Sequence, residues 1–226
     1  MGRLGIITGL AQEADCLDVL PVDDRPQTRI SGARPDRAVE QSQDLIRGGC
    51  QALLSFGMAG GLRADLKPGA VMVASSVIAP DGRVFETSTP WLERVMESLG
   101  EEATTGAIAG SDTVVGTPAA KRELAEATSA ALVDMESHAV AAVAEDAGIP
   151  FLVIRAVADP ADRVLPGWLI GHITETGRPR YGAILAGLAT HPWDLAGLLR
   201  LKGDSDRAFQ SLRRVAGRLG PLFGLP

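Results

Sequence analysis

The sequence predicts a single α/β domain, built on a mixed or largely parallel central sheet flanked by helices, with a helical extension at its C-terminal end. Three observations lead there. Short apolar, β-rich runs alternate with segments of helical period, the pattern of strands joined by crossover helices. Residues 151–157, Phe-Leu-Val-Ile-Arg-Ala-Val, are almost continuously apolar, as in a strand buried on both faces. The 226 residues suit one domain, with no linker before about residue 160 and no internal repeat. The expected organisation is one domain over 1–226, with a core at 3–162 and a helical extension at 163–226.

Taken in order, residues 4–8 read as a short buried strand ending at Gly9. Residues 37–47 have helical spacing and stop at Gly48-Gly49, and 51–56 form the next apolar strand. A β-rich run at 70–78 ends in the turn signal Pro80-Asp81-Gly82. Pro90-Trp91 opens a helix to about Leu99 with Thr89 as its cap, and 104–109 is a further strand. Thr117 caps a helix with Pro118 at its first position, running to about Ser129. A strand at 131–134 leads into a helix over 135–147, closed by Gly148 and Pro150. Beyond Asp162 the texture changes. Residues 165–179 are rich in Gly and Pro without clear period, and helical segments follow at about 181–189, 192–201 and 205–219.

Composition removes several classes. Hydrophobic residues at 46% and charged residues at 22% are ordinary for a protein with a sizeable core. Cys16 and Cys50 have no CxxC spacing and are too few for a disulfide framework, so both read as small buried apolar residues. The histidines His138, His172 and His191 are scattered and indicate no metal site. The opening segment lacks the features of a secretory leader, and no apolar run reaches the roughly 18 residues of a membrane helix, so a cytoplasmic location is expected. The net charge of −6 speaks against nucleic acid as a partner, yet it is unevenly spread: residues 200–226 carry +4 and the rest −10.

Three stretches could carry chemistry, each expected at the carboxyl end of a strand, where open α/β sheets bind ligands. They are Thr8-Gly9-Leu10-Ala11-Gln12-Glu13, the glycine-rich segment from Ser55 to Leu62 read as a loop, and Val133-Asp134-Met135-Glu136-Ser137 followed by Arg155-Ala156-Val157-Ala158-Asp159. Bland readings exist for each. A glycine-rich segment serves as a tight turn, Glu13 and Glu136 suit first helical turns, and Asp159 before Pro160 suits a turn cap. Arg155, in an apolar strand, lies roughly 13 Å along that strand from Asp159, which favours a structural ion pair with another carboxylate.

In this order and spacing the three stretches resemble the family of purine nucleoside phosphorylases and 5′-methylthioadenosine/S-adenosylhomocysteine nucleosidases. The resemblance covers residues 3–162 and is most specific in VDMES…RAVADPAD. It implies cleavage of a purine N-glycosidic bond, with no cofactor. Asp159 is implied as the acid that protonates the leaving base, and Glu136 as the acceptor for ribose hydroxyls. Met135 would pack on the sugar, and Val114, Val115 and Val133 against the base. Glu13 aligns with the acid that helps activate water in the nucleosidases. Phosphorolysis would instead take inorganic phosphate as co-substrate, with Thr8, the Gly9 amide, Arg34 and Arg37 as anion donors beside Met58 and Gly60. Two departures stand out: Met58 replaces a usual serine, and Ser55 stands where some phosphorylases carry arginine. Relatives commonly form oligomers, so a homo-oligomer is expected.

The later chain, through DMESHAVA, ADPADRVLP and HPWDLAGLLRL, resembles the hopanoid-associated phosphorylases. That narrower resemblance implies adenosylhopane as substrate, a purine nucleoside linked to a lipid. Over 207–219, Phe209, Leu212, Val215, Ala216 and Leu219 share one helical face, opposite Arg207, Arg214 and Arg218. Such a helix suits peripheral contact with an anionic bilayer, or packing of its apolar face on the body or on another subunit.

Overall fold

The computed structural model describes residues 3–169 and 181–226. The chain opens with strand β1 (Leu4–Thr8), a one-turn helix α1 (Ala11–Ala14) and strand β2 (Gln27–Ile30). Helix α2 (Pro35–Arg47) leads to β3 (Ala52–Gly61), β4 (Val71–Ile78) and β5 (Val84–Glu86). Then come α3 (Thr89–Leu99), β6 (Ala103–Gly110), α4 (Pro118–Thr128), β7 (Leu132–Asp134), α5 (Ser137–Asp146) and β8 (Phe151–Asp159). Two helices, α6 (Tyr181–Thr190) and α7 (Leu195–Leu219), complete it.

The sheet is mixed, with eight strands among the described residues. β1 lies parallel between β2 and β3, and β3 runs parallel to β8. From β8 the pairing passes antiparallel to β4, parallel to β6 and β7, and antiparallel back to β3. Five strands therefore pair in a closed circuit, which leaves them no free edge. Successive residues of these strands feed opposite layers. Leu54, Phe56, Ile154 and Ala156 pack with Trp91 and Val95 of α3 and with Leu212 and Val215 of α7. Leu53, Val153 and Val157 pack with Leu45 of α2 and Val140 of α5. With both faces covered, a period-2 alternation of polar and apolar residues has no reason to exist, and 151–157 shows none.

The structure corrects several expectations. The glycine-rich segment is the second half of β3, not a loop. Small residues there let backbone and buried carboxylates approach closely, and the register with β8 shifts between Ala59 and Gly60. β2 and β5 were not foreseen; each is short and pairs with a single strand, so neither sequence carries a core pattern. Ser88, not Thr89, occupies the cap position of α3, while Thr117 caps α4 by accepting from the Ala120 amide at 3.2 Å. Helix α5 begins at Ser137, so Met135 and Glu136 sit in the turn before it.

The two expected C-terminal segments form one helix of 25 residues after a short turn at Pro192–Asp194. Asp204 within it is buried between Arg163 at 2.6 Å and Arg207 at 2.9 Å, which anchors the stretch where a break was expected. The apolar face of 207–219 lies on the body: Leu212, Val215 and Ala216 are fully buried, and Arg214 and Arg218 pair with Glu102. That face is therefore not available to a bilayer. Trp193, Leu195 and Leu199, at the other end of the same segment, are exposed. The expectation of irregular structure over 165–179, and His172, fall largely at 170–180, outside the described residues; 167–169 form a single 3₁₀ turn.

Among the described residues no helix is long and apolar enough to cross a membrane. Nor is any group of three His, Cys, Asp or Glu side chains placed to hold a metal ion. Cys16 and Cys50 are free and buried.

Candidate active site

The ends of β1, β3, β7 and β8 converge on one cavity of about 240 Å³. Its lining takes in Gly9, Glu13, Met58, Gly60, Val114, Val115, Val133, Met135, Glu136 and Asp159 from the sequence-derived candidates. Leu10, Ala33, Ala59, Thr113, Asp134, Ala158 and Leu165 complete it. Three candidates lie elsewhere. The Thr8 hydroxyl is fully buried and donates to the Leu10 carbonyl at 3.3 Å, turned into the chain rather than the cavity. Arg34 and Arg37 sit at the start of α2, outside the lining, and Arg34 pairs with Asp36.

At one end three carboxylates gather around one guanidinium. Glu13 follows the sharp turn out of β1, and its two oxygens accept from the Leu10 amide at 2.8 Å and the Met58 amide at 2.7 Å. It thus ties the first helical turn to the far half of β3. Bare backbone makes this possible. A Cβ at Gly57 would stand 2.6 Å from the Glu13 carboxyl, and one at Gly9 would stand 2.6 Å from Glu136 Oε1. Arg155, 1% exposed on β8, donates to Asp134 at 2.6 Å and to the Ser55 hydroxyl at 2.7 Å, with Glu136 at 3.6 Å. Ser137 donates from the start of α5 to Asp134 and accepts from Arg155 at 3.2 Å. Arg155 is thus the structural ion-pair residue that its place in an apolar strand implied, with Asp134 as partner.

Three buried acids on one cation crowd one another, so the cluster keeps protons that isolated carboxyls would lose. Burial pushes the Glu13 carboxyl above its ordinary range, with Arg155 and the amides of Met58, Leu10 and Gly9 opposing. Glu136 is pushed up to about 8, first by burial, then by repulsion from Asp134, with Arg155 opposing and Glu13 adding.

The other end differs. Asp159 closes β8, 8% exposed, and its Oδ2 pairs with the Lys121 ammonium at 2.6 Å. Its Oδ1 is buried without a hydrogen-bond partner. Burial raises the Asp159 pKa, and the Lys121 contact pulls it back. Lys121 was missed in the sequence, where it reads as one more polar residue of a solvated helix. The wall between the two ends is apolar: Val114 and Val115 come from the loop after β6, and Val133 from β7. The Leu165 amide bonds to the Gly116 carbonyl at 2.9 Å and joins that loop to the segment after β8.

Chemically, the cavity presents four carboxyl groups and, among the described residues, no lysine or arginine in its lining. The two cations stand behind it, each engaged by a carboxylate. Such a site can donate a proton at one end and accept hydroxyl donors at the other.

Comparison with known proteins identifies the family and the fold. The model of the family described as the Phosphorylase superfamily matches residues 33–186. An aminodeoxyfutalosine nucleosidase of Helicobacter pylori is 28% identical over 52% of this chain and 60% of its own length. A 5′-methylthioadenosine/S-adenosylhomocysteine nucleosidase of Staphylococcus aureus is 28% identical over 49% of this chain and 57% of its own. The chain thus spans less than two thirds of the length of these curated relatives. In three dimensions, a 5′-methylthioadenosine/S-adenosylhomocysteine nucleosidase from Neisseria meningitidis superposes with a TM-score of 0.71 at 18% identity, covering 96% of this chain and 99% of its own.

Proposed function

The chain belongs to the phosphorylase superfamily, and from that premise we propose that it hydrolyses the N-glycosidic bond of a purine nucleoside, releasing adenine. The observation that carries the reading is the pairing, in one cavity, of a buried acid with an unengaged oxygen, Asp159, and a buried pair, Glu13 and Glu136, at the opposite end. Breaking C1′–N9 leaves an anionic base and an oxocarbenium-like ribosyl group. Asp159 gives its proton to the base, help worth about 10²–10⁴-fold. Glu136 accepts from the ribose hydroxyls and holds the sugar in place. Glu13 takes the proton of the attacking water. Met135 and Met58 flank the sugar, and Val114, Val115 and Val133 the base.

Water is favoured over phosphate by charge. A phosphate dianion bound there would find, among the described residues, no lysine or arginine in the lining to meet its charge. Ser55, where some phosphorylases carry an arginine, instead serves as acceptor for Arg155. The test is adenine release from 5′-methylthioadenosine with and without phosphate. We expect release that does not depend on phosphate and is reduced about 10²–10⁴-fold in Asp159→Asn, with binding of a substrate analogue retained. An active Asp159→Asn variant would mean that another group is the acid.

A finer reading takes the substrate as lipid-linked, adenosylhopane. It is supported by the sequence resemblance of the tail and by the exposed Trp193, Leu195 and Leu199, which stand beside Arg200 and Lys202. These side chains, rather than the buried face of 207–219, would meet an anionic bilayer. Adenine release from adenosylhopane in detergent, with liposome co-sedimentation of Trp193→Ala, tests it. A second copy of the chain covering the same residues would show instead as a dimer that this substitution dissolves.

A further inference from the structure

We infer that Lys121 is the positioning residue of the proton-donating acid: it holds Asp159 by Oδ2, turns Oδ1 to the leaving base, and balances the charge left behind when the proton departs. The inference rests on the proposed N-glycosidic cleavage and deepens it.

Lys121 is fully buried, in a helix whose other described side chains are exposed or half-buried. Its Nζ has four oxygens around it: Asp159 Oδ2 at 2.6 Å and the carbonyls of Pro160 at 2.7 Å, Asp159 at 3.3 Å and Arg163 at 3.4 Å. Only the ammonium form has three N–H donors to serve such a shell. A buried ammonium without a nearby anion is costly, and the carboxyl it touches is that of Asp159. The carbonyl grip also fixes the backbone of 159–163, and so the direction in which Asp159 leaves β8. Other charged groups near the acid are Arg163, which follows β8, and Asp204 of α7; the first lowers the proton affinity of Asp159 and the second raises it. Arg163 and Arg207 share Asp204, at 2.6 Å and 2.9 Å, so that among the described residues Lys121 is the cation in ion-pair contact with Asp159.

The proton step balances simply. The Oδ1–H bond breaks and an N–H bond forms on the purine, while the electron pair of C1′–N9 passes to the base. The carboxylate that remains lies against a fixed ammonium, so its charge is met without reorganisation. With Lys121 absent, Asp159 would keep its proton to higher pH and be a weaker acid.

The experiment compares wild type with Lys121→Met, Lys121→Gln and Lys121→Arg on two substrates: a purine nucleoside, and a 4-nitrophenyl riboside whose leaving group departs without a proton. For Lys121→Met we expect purine release to fall about 10–100-fold, part of what a general acid supplies. The alkaline limb of its pH profile should move up by about one to three units, as when an opposite charge at contact is removed. Turnover of the aryl riboside should be nearly unchanged. Lys121→Arg should keep most of the purine activity. Should Lys121→Met fail to fold, Lys121→Gln, which keeps donors for the carbonyls and loses the charge, carries the same expectation. Equal loss on both substrates with an unmoved limb would overturn the inference. Failure of the parent reading looks different, namely no base release by wild type at all. Titration of the ¹³C-labelled Asp159 carboxyl then still decides the role of Lys121. An unchanged midpoint in Lys121→Gln overturns it.

Discussion

At the Glu13 end of the cavity three buried carboxylates share one guanidinium, whereas at the Asp159 end one carboxylate faces one ammonium. Both cations stand behind the acids and neither reaches the lining. The ends are joined through β8, which carries Arg155 and Asp159 four residues apart, roughly 13 Å along a strand. The imbalance has a direction. A cluster of acids that share protons lies where the proposed reaction develops a cationic ribosyl group, and a proton backed by positive charge lies where it develops an anionic base. The protein holds both sets of charges in a rigid sheet before substrate arrives, so little reorganisation accompanies the transition state.

The largest effect on this contrast is expected from Asp134→Asn. Breaking a buried ion pair from one side costs about 3–5 kcal/mol, because the remaining charge is left uncompensated. Here Glu136 stands 3.6 Å from the same guanidinium and can take over as counter-ion, so the loss should fall at the lower end of that range. Urea unfolding measures it. A loss below about 1 kcal/mol, the scale of an exposed pair, would show that the cluster is hydrated and that the contrast between the two ends is smaller than the contacts imply.

A second effect follows from the crowding of acids. Glu136 is raised from an ordinary 4.5 to about 8, so the folded protein binds more protons than the unfolded chain between those values. Stability from this group is present below about 4.5 and is lost as pH rises through about 8. Each unit of difference corresponds to about 1.4 kcal/mol. Glu136→Gln removes the titration. Its Tm should exceed that of wild type at pH 9, and the gap should narrow steadily toward pH 5. A gap independent of pH would place the excess proton elsewhere in the cluster.

Much of this site was legible in the sequence, for a reason visible in particular residues. Glu136 and Asp159 follow β7 and close β8 within the stretch that carries the family resemblance, and both line one cavity. Arg155 declared itself as a charge inside an apolar strand. Other features were hidden. The second half of β3 has the composition of a turn, because it must leave room for the Glu13 carboxyl at Gly57 and for Val133 at Gly60. Nothing local distinguishes a glycine kept for close approach from one kept for a turn. Lys121 lies in Pro-Ala-Ala-Lys-Arg-Glu-Leu, a pattern like any solvated helix. It is buried only because the chain after β8 folds back over it. The continuity of α7 likewise depends on Arg163, forty-one residues upstream of Asp204. The long-range partner, in each case, is what the local pattern could not reveal.

The smallest expected effect tests whether a cation serves the Glu13 end. Arg34 was a candidate phosphate donor by sequence, yet it stands half-exposed at the start of α2, engaged with Asp36 at 2.5 Å and outside the cavity lining. If water is the nucleophile, Arg34→Ala is a surface change, within about 0.5 kcal/mol in stability and about twofold in turnover, and equally so with and without phosphate. A loss confined to assays containing phosphate would mean that substrate binding draws α2 inward and that a cation enters this end during turnover. The lack of a lysine or arginine in the lining, among the described residues, would then be a property of the empty site alone. The preference for water, which rests on that lack, would give way to phosphorolysis.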